Sequence, residues 1–111
     1  MNKIYVKGDV VVLPFPYTDF SSVKKRPAVV IATLKGQNVI LAQITTNQRK
    51  DEDLVSLAKK DFVSGSLSSD SFIMASLIFT TDSSKIEYKA GKIKQEKIKE
   101  VQNKLIEVFT R

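Results

Sequence analysis

The sequence contains no cysteine and no histidine. Without cysteine, the chain can hold neither a disulfide framework nor a thiolate metal site. Without histidine, it cannot use acid–base catalysis by a histidine pair, nor a Ser-His-Asp or Cys-His nucleophile system. Any chemistry must therefore come from Arg, Lys, Tyr, Asp, Glu or hydroxyl groups.

Long apolar runs are also missing. The longest run, residues 71–80, has the length of a strand and falls far short of the ~20 residues that a membrane-spanning helix needs. The first 15 residues carry charges and Gly8 within their apolar stretch, and they show no cleavage pattern of a signal peptide. We therefore expect a soluble, cytoplasmic protein with no membrane segment. Because 111 residues without a linker suit one domain, we expect a single domain over residues 1–111.

The charge is unbalanced. Eighteen Lys and Arg residues against twelve Asp and Glu residues give a net charge of +6 and a pI near 9.6. Such a surplus favours a polyanion or an acidic protein as partner. The alternative is an ordinary soluble surface, because net charges of about 2–8 are common in small domains.

Short apolar, β-branched runs bounded by turn residues predict a mainly β chain with one C-terminal helix. We predict strands over residues 10–15, 28–32, 39–44, 54–57 and 71–80, a long loop over 16–27, a loop over 45–53, turns at 36–38 and 64–66, and a chain break at Gly91. Residues 95–109 predict a helix whose apolar stripe comprises Ile98, Val101, Leu105 and Val108, widened by Ile106 and Phe109. Five or so short strands with one helix indicate a strongly bent sheet or half-open barrel.

Basic residues at the end of the first loop are the first functional candidates. Lys24, Lys25 and Arg26 stand directly before Pro27. Proline favours an extended conformation for Arg26, which we expect at the loop's exit, held by the strand that follows. A guanidinium fixed there can bind a phosphate through two bonds and stabilise negative charge on it. The alternative is that these residues only form a solvated basic loop.

Hydroxyls at the end of the third predicted strand are the second candidates. Thr45 and Thr46 follow directly on the apolar run, and a hydroxyl there can donate to a phosphate oxygen. A threonine pair at a strand end is also an ordinary turn feature. The sequence has no Gly-rich phosphate loop and no His or Cys ligand set, so we predict neither a metal nor a cofactor.

With both segments in view, the sequence resembles the MazF/PemK family of toxin–antitoxin systems. The matching segments are Lys7-Gly8-Asp9-Val10-Val11-Val12, Lys25-Arg26-Pro27-Ala28-Val29-Val30, Gln43-Ile44-Thr45-Thr46, Ser71-Phe72-Ile73, Phe79-Thr80-Thr81-Asp82 and Gly91 before the helix. They cover nearly the whole chain in order.

The resemblance implies an SH3-like barrel of about five to seven short strands, usually a homodimer, that cleaves single-stranded RNA without a metal. It further implies that Arg26 and Thr45 are the catalytic residues. The 2′-hydroxyl of the RNA attacks the adjacent phosphate and leaves a 2′,3′-cyclic phosphate. Arg26 would stabilise charge on the phosphorane and Thr45 would position a phosphate oxygen. An acidic, partly disordered antitoxin would neutralise the toxin by wrapping the basic groove.

RNA contacts are expected from the first loop, from the end of the third predicted strand and from the last predicted strand near Ser76. The substrate-binding candidates are Tyr17, Phe20, Lys24, Lys25, Gln43, Thr46, Asn47, Gln48, Arg49 and Ser76. Tyr17 and Phe20 offer rings on which an unpaired base can stack. Many family members carry a polar pair and then an arginine where this chain has Ser76, Leu77 and Phe79, so Ser76 and the neighbouring loop would have to substitute.

Two other function classes stay open. The chain can be a non-catalytic toxin or binding module of the same fold, acting on a protein target as gyrase-directed toxins do, or binding RNA without cutting it. A purely structural small barrel would leave Arg26 and the positive charge unexplained. An enzyme requires Arg26 and Thr45 to converge on one pocket, whereas a binder does not.

Overall fold

A computed structural model describes residues 4–16, 23–48 and 53–111. Tyr17, Phe20 and Arg49, three of the predicted RNA-contact residues, lie outside these ranges. Seven strands and one helix are described: β1 (Asp9–Pro16), β2 (Val23–Thr33), β3 (Asn38–Thr45), β4 (Leu54–Leu57), β5 (Phe62–Gly65), β6 (Ser71–Asp82), β7 (Tyr88–Ile93) and α1 (Gln95–Thr110). Short 3₁₀ turns occupy Lys59–Asp61 and Ser83–Lys85.

The strands form one antiparallel sheet in the order β4-β6-β3-β2-β1-β7-β5. Register shifts interrupt several pairs, among them the β2–β3 pair between Val30 and Ala32. Such bulges bend strands and increase their twist, which curls the sheet into a half-barrel. The prediction of a mainly β half-barrel with a C-terminal helix is confirmed.

Alternate residues of each strand feed two apolar cores, one on either face of the sheet. The helix face carries Val29, Ala42 and Ile44, which pack with Val101 and Leu105 of α1. The opposite face carries Val11, Leu13, Ala28, Val30, Val39 and Leu41, which are covered by Ile86. Burial of a Val, Leu or Ile side chain stabilises the fold by about 1.5–3 kcal/mol, so both faces contribute.

Three sequence predictions about the strands were wrong, the first being the turn at 64–66, where Ser64 and Gly65 belong to β5. β2 begins at Val23 rather than at residue 28, because β1 continues to Pro16 and supplies hydrogen-bonding partners for the basic segment. Gly91 does not break the chain but lies inside β7. A Cβ there would stand 2.5 Å from the Ser64 carbonyl oxygen of β5, so the glycine permits close pairing of two strands that the sequence did not reveal.

The helix spans Gln95–Thr110, close to the predicted bounds. Ile98, Val101 and Leu105 are buried as the periodicity predicted. Ile106 and Phe109 do not widen the buried stripe, since they are 59% and 66% exposed. Within the described ranges, no helix combines the length and the apolar character required to cross a membrane.

Asp9, in the Gly-Asp-Val start of β1, is a buried carboxylate with a structural role. Its Oδ2 accepts a hydrogen bond from the Val6 amide at 2.9 Å. Its Oδ1 forms ion pairs, without hydrogen-bond geometry, with Nζ of Lys89 at 3.1 Å and Nζ of Lys92 at 3.5 Å. The carboxylate thereby holds the N-terminal segment and β7 against β1.

Candidate functional site

The two predicted catalytic residues lie on neighbouring strands and on the same face of the sheet. Ala28 of β2 pairs with Gln43 of β3, and two residues further along the two strands come Arg26 and Thr45. Because side chains two apart on a strand share a face, Arg26 and Thr45 both belong to the face opposite the helix. Arg26 stands within β2 and not at a loop exit, so ladder hydrogen bonds fix its backbone.

Arg26 and Thr45 also line one pocket of about 170 Å³. Its other lining residues are Lys24, Lys25, Pro27, Ile44 and Thr46. Arg26, which is half-buried, and Thr45, which is buried, therefore border the same open space. A shared pocket is what the catalytic hypothesis requires of these two residues.

The Thr45 side chain is held by the backbone of the turn that follows it. The residue is only 4% exposed, and its Oγ1 accepts a hydrogen bond from the Asn47 amide at 3.1 Å. A hydroxyl that accepts through its oxygen still has its hydrogen to donate. The Thr45 hydroxyl therefore remains able to donate a hydrogen bond, as a contact with an anionic oxygen would require.

The three basic residues of β2 are divided between the two faces. Lys24 is exposed and pairs across the sheet with Phe15, on the same face as Arg26. Lys25 points the other way, and its Nζ lies 2.9 Å from a carboxylate oxygen of Glu87. The hydrogen bond to Glu87 raises the pKa of Lys25 above its ordinary value. Lys24, Lys25 and Arg26 thus belong to a paired strand and not to a solvated loop, and Lys25 lies on the opposite face from the other two.

Of the remaining polar candidates at the end of β3, only Thr46 lines the pocket, and the others are close to Thr45 in the sequence. Gln43 is half-buried on the Arg26 face, two residues from Thr45. Thr46 lines the pocket, and Asn47 and Gln48 follow it as exposed residues. All four are therefore available for contacts beside the guanidinium.

Ser76 lies in an irregular part of β6 and does not line the Arg26 pocket. Ile73 of β6 pairs with Ile44 of β3, and Ile78 pairs with Ala42, so five positions along β6 face only two along β3. The extra residues of β6 bulge out opposite Gln43, and Ser76 is exposed on this bulge. Ser76 can reach a substrate at the rim, and its role stays a prediction.

The apolar residues next to this bulge line a second, open pocket of about 630 Å³. We call it the Phe15–Phe79 depression; it is lined by Leu13, Pro14, Phe15, Gln43, Leu77, Ile78, Phe79, Thr81 and Lys85. The two phenyl rings meet edge to face, with centroids 5.2 Å apart and planes at 77°. Leu77 is 44% exposed.

The sequence is similar to that of a known toxin family. The sequence model of a family described as "PemK-like, MazF-like toxin of type II toxin-antitoxin system" matches residues 6–109. A comparison with curated proteins found no significant match.

Solved structures share the fold at low sequence identity. An endoribonuclease from a mycobacterial species, solved in complex with its cognate antitoxin, aligns with a TM-score of 0.76 at 14% identity, covering 96% of this chain and 95% of the other. A MazE–MazF structure from Deinococcus radiodurans gives a TM-score of 0.76 at 18% identity, covering 96% and 97%. The Mycobacterium tuberculosis toxin MazF-mt6 gives 0.72 at 15% identity, covering 91% and 95%.

Proposed function

Because the chain belongs to the PemK-like, MazF-like toxin family of type II toxin–antitoxin systems, we propose that it is a sequence-specific, metal-independent endoribonuclease that cuts single-stranded RNA, messenger RNA included, and so inhibits translation and growth. The observation that carries the proposal is the shared pocket of Arg26 and Thr45. The net charge of +6 supports a polyanionic substrate.

The proposed reaction uses a nucleophile that the RNA itself supplies. The 2′-oxygen forms a bond to the adjacent phosphorus, and the bond from phosphorus to the 5′-oxygen of the next nucleotide breaks. The 2′-hydroxyl loses a proton and the leaving 5′-oxygen gains one, so the products are a 2′,3′-cyclic phosphate and a 5′-hydroxyl. Water in the open pocket can carry both protons.

Arg26 and Thr45 then act on the phosphate. The Arg26 guanidinium stabilises the negative charge that builds up on the phosphorane oxygens. A guanidinium keeps its proton in proteins, so its role is electrostatic and not that of a general base. The Thr45 hydroxyl, held by the Asn47 amide, donates to a phosphate oxygen and orients it.

Contacts along the RNA come from the surroundings of this pocket. Lys24, Lys25, Gln43, Thr46, Asn47, Gln48 and Ser76 are the proposed contact residues within the described ranges, with Tyr17, Phe20 and Arg49 outside them. Lys25 must exchange its Glu87 partner for a phosphate to take part. The exposed polar residues after β3 offer hydrogen bonds to base edges, as recognition of single-stranded RNA requires.

We further propose a cognate antitoxin and a homodimer. The antitoxin proposal is supported by the two similar structures that were solved with an antitoxin or MazE. An acidic antitoxin segment would complement the basic chain and cover the Arg26 pocket. A monomeric mass by light scattering at micromolar concentration would contradict the homodimer.

The test is cleavage of a mixed-sequence single-stranded RNA by purified protein in EDTA, with mapping of the new ends. Discrete cuts with cyclic-phosphate ends are expected. Arg26→Ala should slow cleavage by about 10²–10³-fold, as does loss of one donor to a developing oxyanion. Thr45→Ala should cause a smaller loss. Lys35→Ala is the matched control, because it removes one exposed cation in the turn at the far end of β2.

Each departure has a distinct meaning. Undiminished cleavage by folded Arg26→Ala would remove Arg26 from the mechanism, and cleavage abolished by EDTA would show a metal requirement. An equal loss in Lys35→Ala would reduce the effect to overall charge. No cleavage by folded, antitoxin-free protein would favour the second candidate, a non-catalytic binder of protein or RNA, to which the apolar Leu77 and Phe79 also point.

A further inference from the structure

The Phe15–Phe79 depression shares a border with the Arg26 pocket. Along β1 and β2, Leu13 of the depression pairs with Arg26, and Phe15 pairs with Lys24. Along β3, Gln43 of the depression and Thr45 of the pocket are two residues apart on one face, a spacing of roughly 7 Å. The Phe15–Phe79 depression and the Arg26 pocket are therefore two halves of one continuous surface.

The walls of the depression combine flat rings with a few polar groups. Phe15 and Phe79 meet edge to face, and both are half-buried, packed on one side against the core of that face of the sheet. Gln43 contributes an amide that both donates and accepts hydrogen bonds. Lys85 at the rim is exposed and cationic. Aromatic surface, one amide and a basic rim are the groups that hold an unpaired base on a protein.

We propose that the Phe15–Phe79 depression is a base pocket, which takes the unpaired nucleobase of the RNA next to the scissile phosphate. The inference rests on the proposed ribonuclease function and adds a specificity site to it. A phosphate held by Arg26 and Thr45 places the attached base over Gln43, because a nucleotide spans that distance between its phosphate and its base. The base lies against the phenyl rings, and the Gln43 amide pairs with its edge.

The basic borders select this occupant over an apolar segment of a protein. Lys85 lines the depression, and Lys24 lines the Arg26 pocket and pairs with Phe15, so each can meet the sugar–phosphate chain on its own side of the proposed base. A second copy of this chain, with its net charge of +6, would add positive charge next to both lysines. Leu77 and Phe79 contribute the apolar surface beside the proposed catalytic pair.

The test measures binding to RNA that cannot be cut. Two 2′-O-methyl oligoribonucleotides of equal length and charge serve as probes, one of mixed sequence and one abasic, with binding followed by fluorescence anisotropy. The wild-type protein should prefer the oligomer with bases by roughly 10- to 100-fold, the range of one base–aromatic stack. Phe79→Leu keeps an apolar side chain but removes the ring, and it should lose most of this preference.

Phe109→Leu is the matched control, since it removes an exposed ring on α1 away from both pockets. Its preference for bases should equal that of the wild type. In parallel cleavage assays, Phe79→Leu should raise KM and broaden the base preference next to the cut. Arg26→Ala should instead lower the rate at an unchanged base preference.

Equal affinity of the wild type for both oligomers, or an unchanged preference in Phe79→Leu, would overturn the base pocket while Arg26-dependent cleavage still upheld the ribonuclease. A Phe79→Leu variant that changes only the oligomeric mass or antitoxin affinity would assign the depression to a protein interface and also overturn the proposal. Base-dependent binding that Phe79→Leu abolishes, with no cleavage of any RNA, would retain the pocket and refute the ribonuclease.

Discussion

The ion pair between Arg111 and Asp53 gives the sharpest stability prediction. Arg111 Nη1 lies 3.0 Å from Asp53 Oδ1, and Nη2 lies 2.9 Å from Oδ2, so the guanidinium meets the carboxylate through two parallel bonds. Asp53 directly precedes β4, and its carbonyl accepts the Ala75 amide of β6 at 3.1 Å. The pair thereby ties the C-terminal end of α1 to the start of β4.

The burial of the two partners sets the magnitude. The Asp53 side chain is 8% exposed and that of Arg111 is 53% exposed. Breaking a fully buried pair costs about 3–5 kcal/mol, and breaking an exposed pair about 0–1 kcal/mol. Because water reaches the carboxylate once the half-exposed guanidinium is gone, we expect Arg111→Ala to lower the free energy of unfolding by about 1–2 kcal/mol. For a chain of this size, that corresponds to a fall in Tm of roughly 4–8 °C.

The contribution of the ion pair to the free energy of unfolding is measured by urea and thermal unfolding of Arg111→Ala, Asp53→Asn and the double variant. The two single changes should be less than additive, because each removes the same interaction. Glu87→Ala is the control, since the Lys25–Glu87 pair has both partners exposed, at 61% and 38%. We expect its effect to stay below about 0.5 kcal/mol. The reasoning is refuted if Arg111→Ala is no more destabilising than Glu87→Ala, or if the single changes are additive.

Two further predictions concern the packing of β7 and the turn after β6. Gly91→Ala should destabilise the fold by about 1–3 kcal/mol, because the new Cβ would lie 2.5 Å from the Ser64 carbonyl oxygen and 2.9 Å from the Phe62 ring; an unchanged urea midpoint would contradict this. The Ser84 amide, which donates to the Asp82 carboxylate, lowers the pKa of Asp82 below 3.8. The stability from this bond is present above pH 3.8 and is lost as the pH falls through the lower pKa of the folded state. An NMR titration of the Ser84 amide should therefore show a midpoint below 3.8. A midpoint at or above that value would contradict the assignment.

The local patterns of the sequence predicted most elements, because side-chain periodicity is a property of neighbouring residues. The apolar, β-branched runs in β1 and β3 and the stripe Ile98, Val101, Leu105 identified two strands and the helix that the structure contains. The same reading nominated Arg26 and Thr45, which the structure places in one pocket. Their chemical roles rest on the experiments above.

Strand pairing decided the rest, since it depends on partners distant in the sequence. The polar and proline content of residues 23–27 predicted a loop, yet β1 provides a ladder for them, and this ladder turns Arg26 towards Thr45 and Lys25 towards Glu87. Gly91 reads as a breaker in isolation but allows β5 and β7 to approach. Phe15 of β1 and Phe79 of β6 are distant in the sequence, and the curl of the sheet brings their rings together at the rim of the site. The sequence by itself determined most of the strands, the helix and the candidate residues of the site, whereas the register and curvature of the sheet determined which of those residues meet.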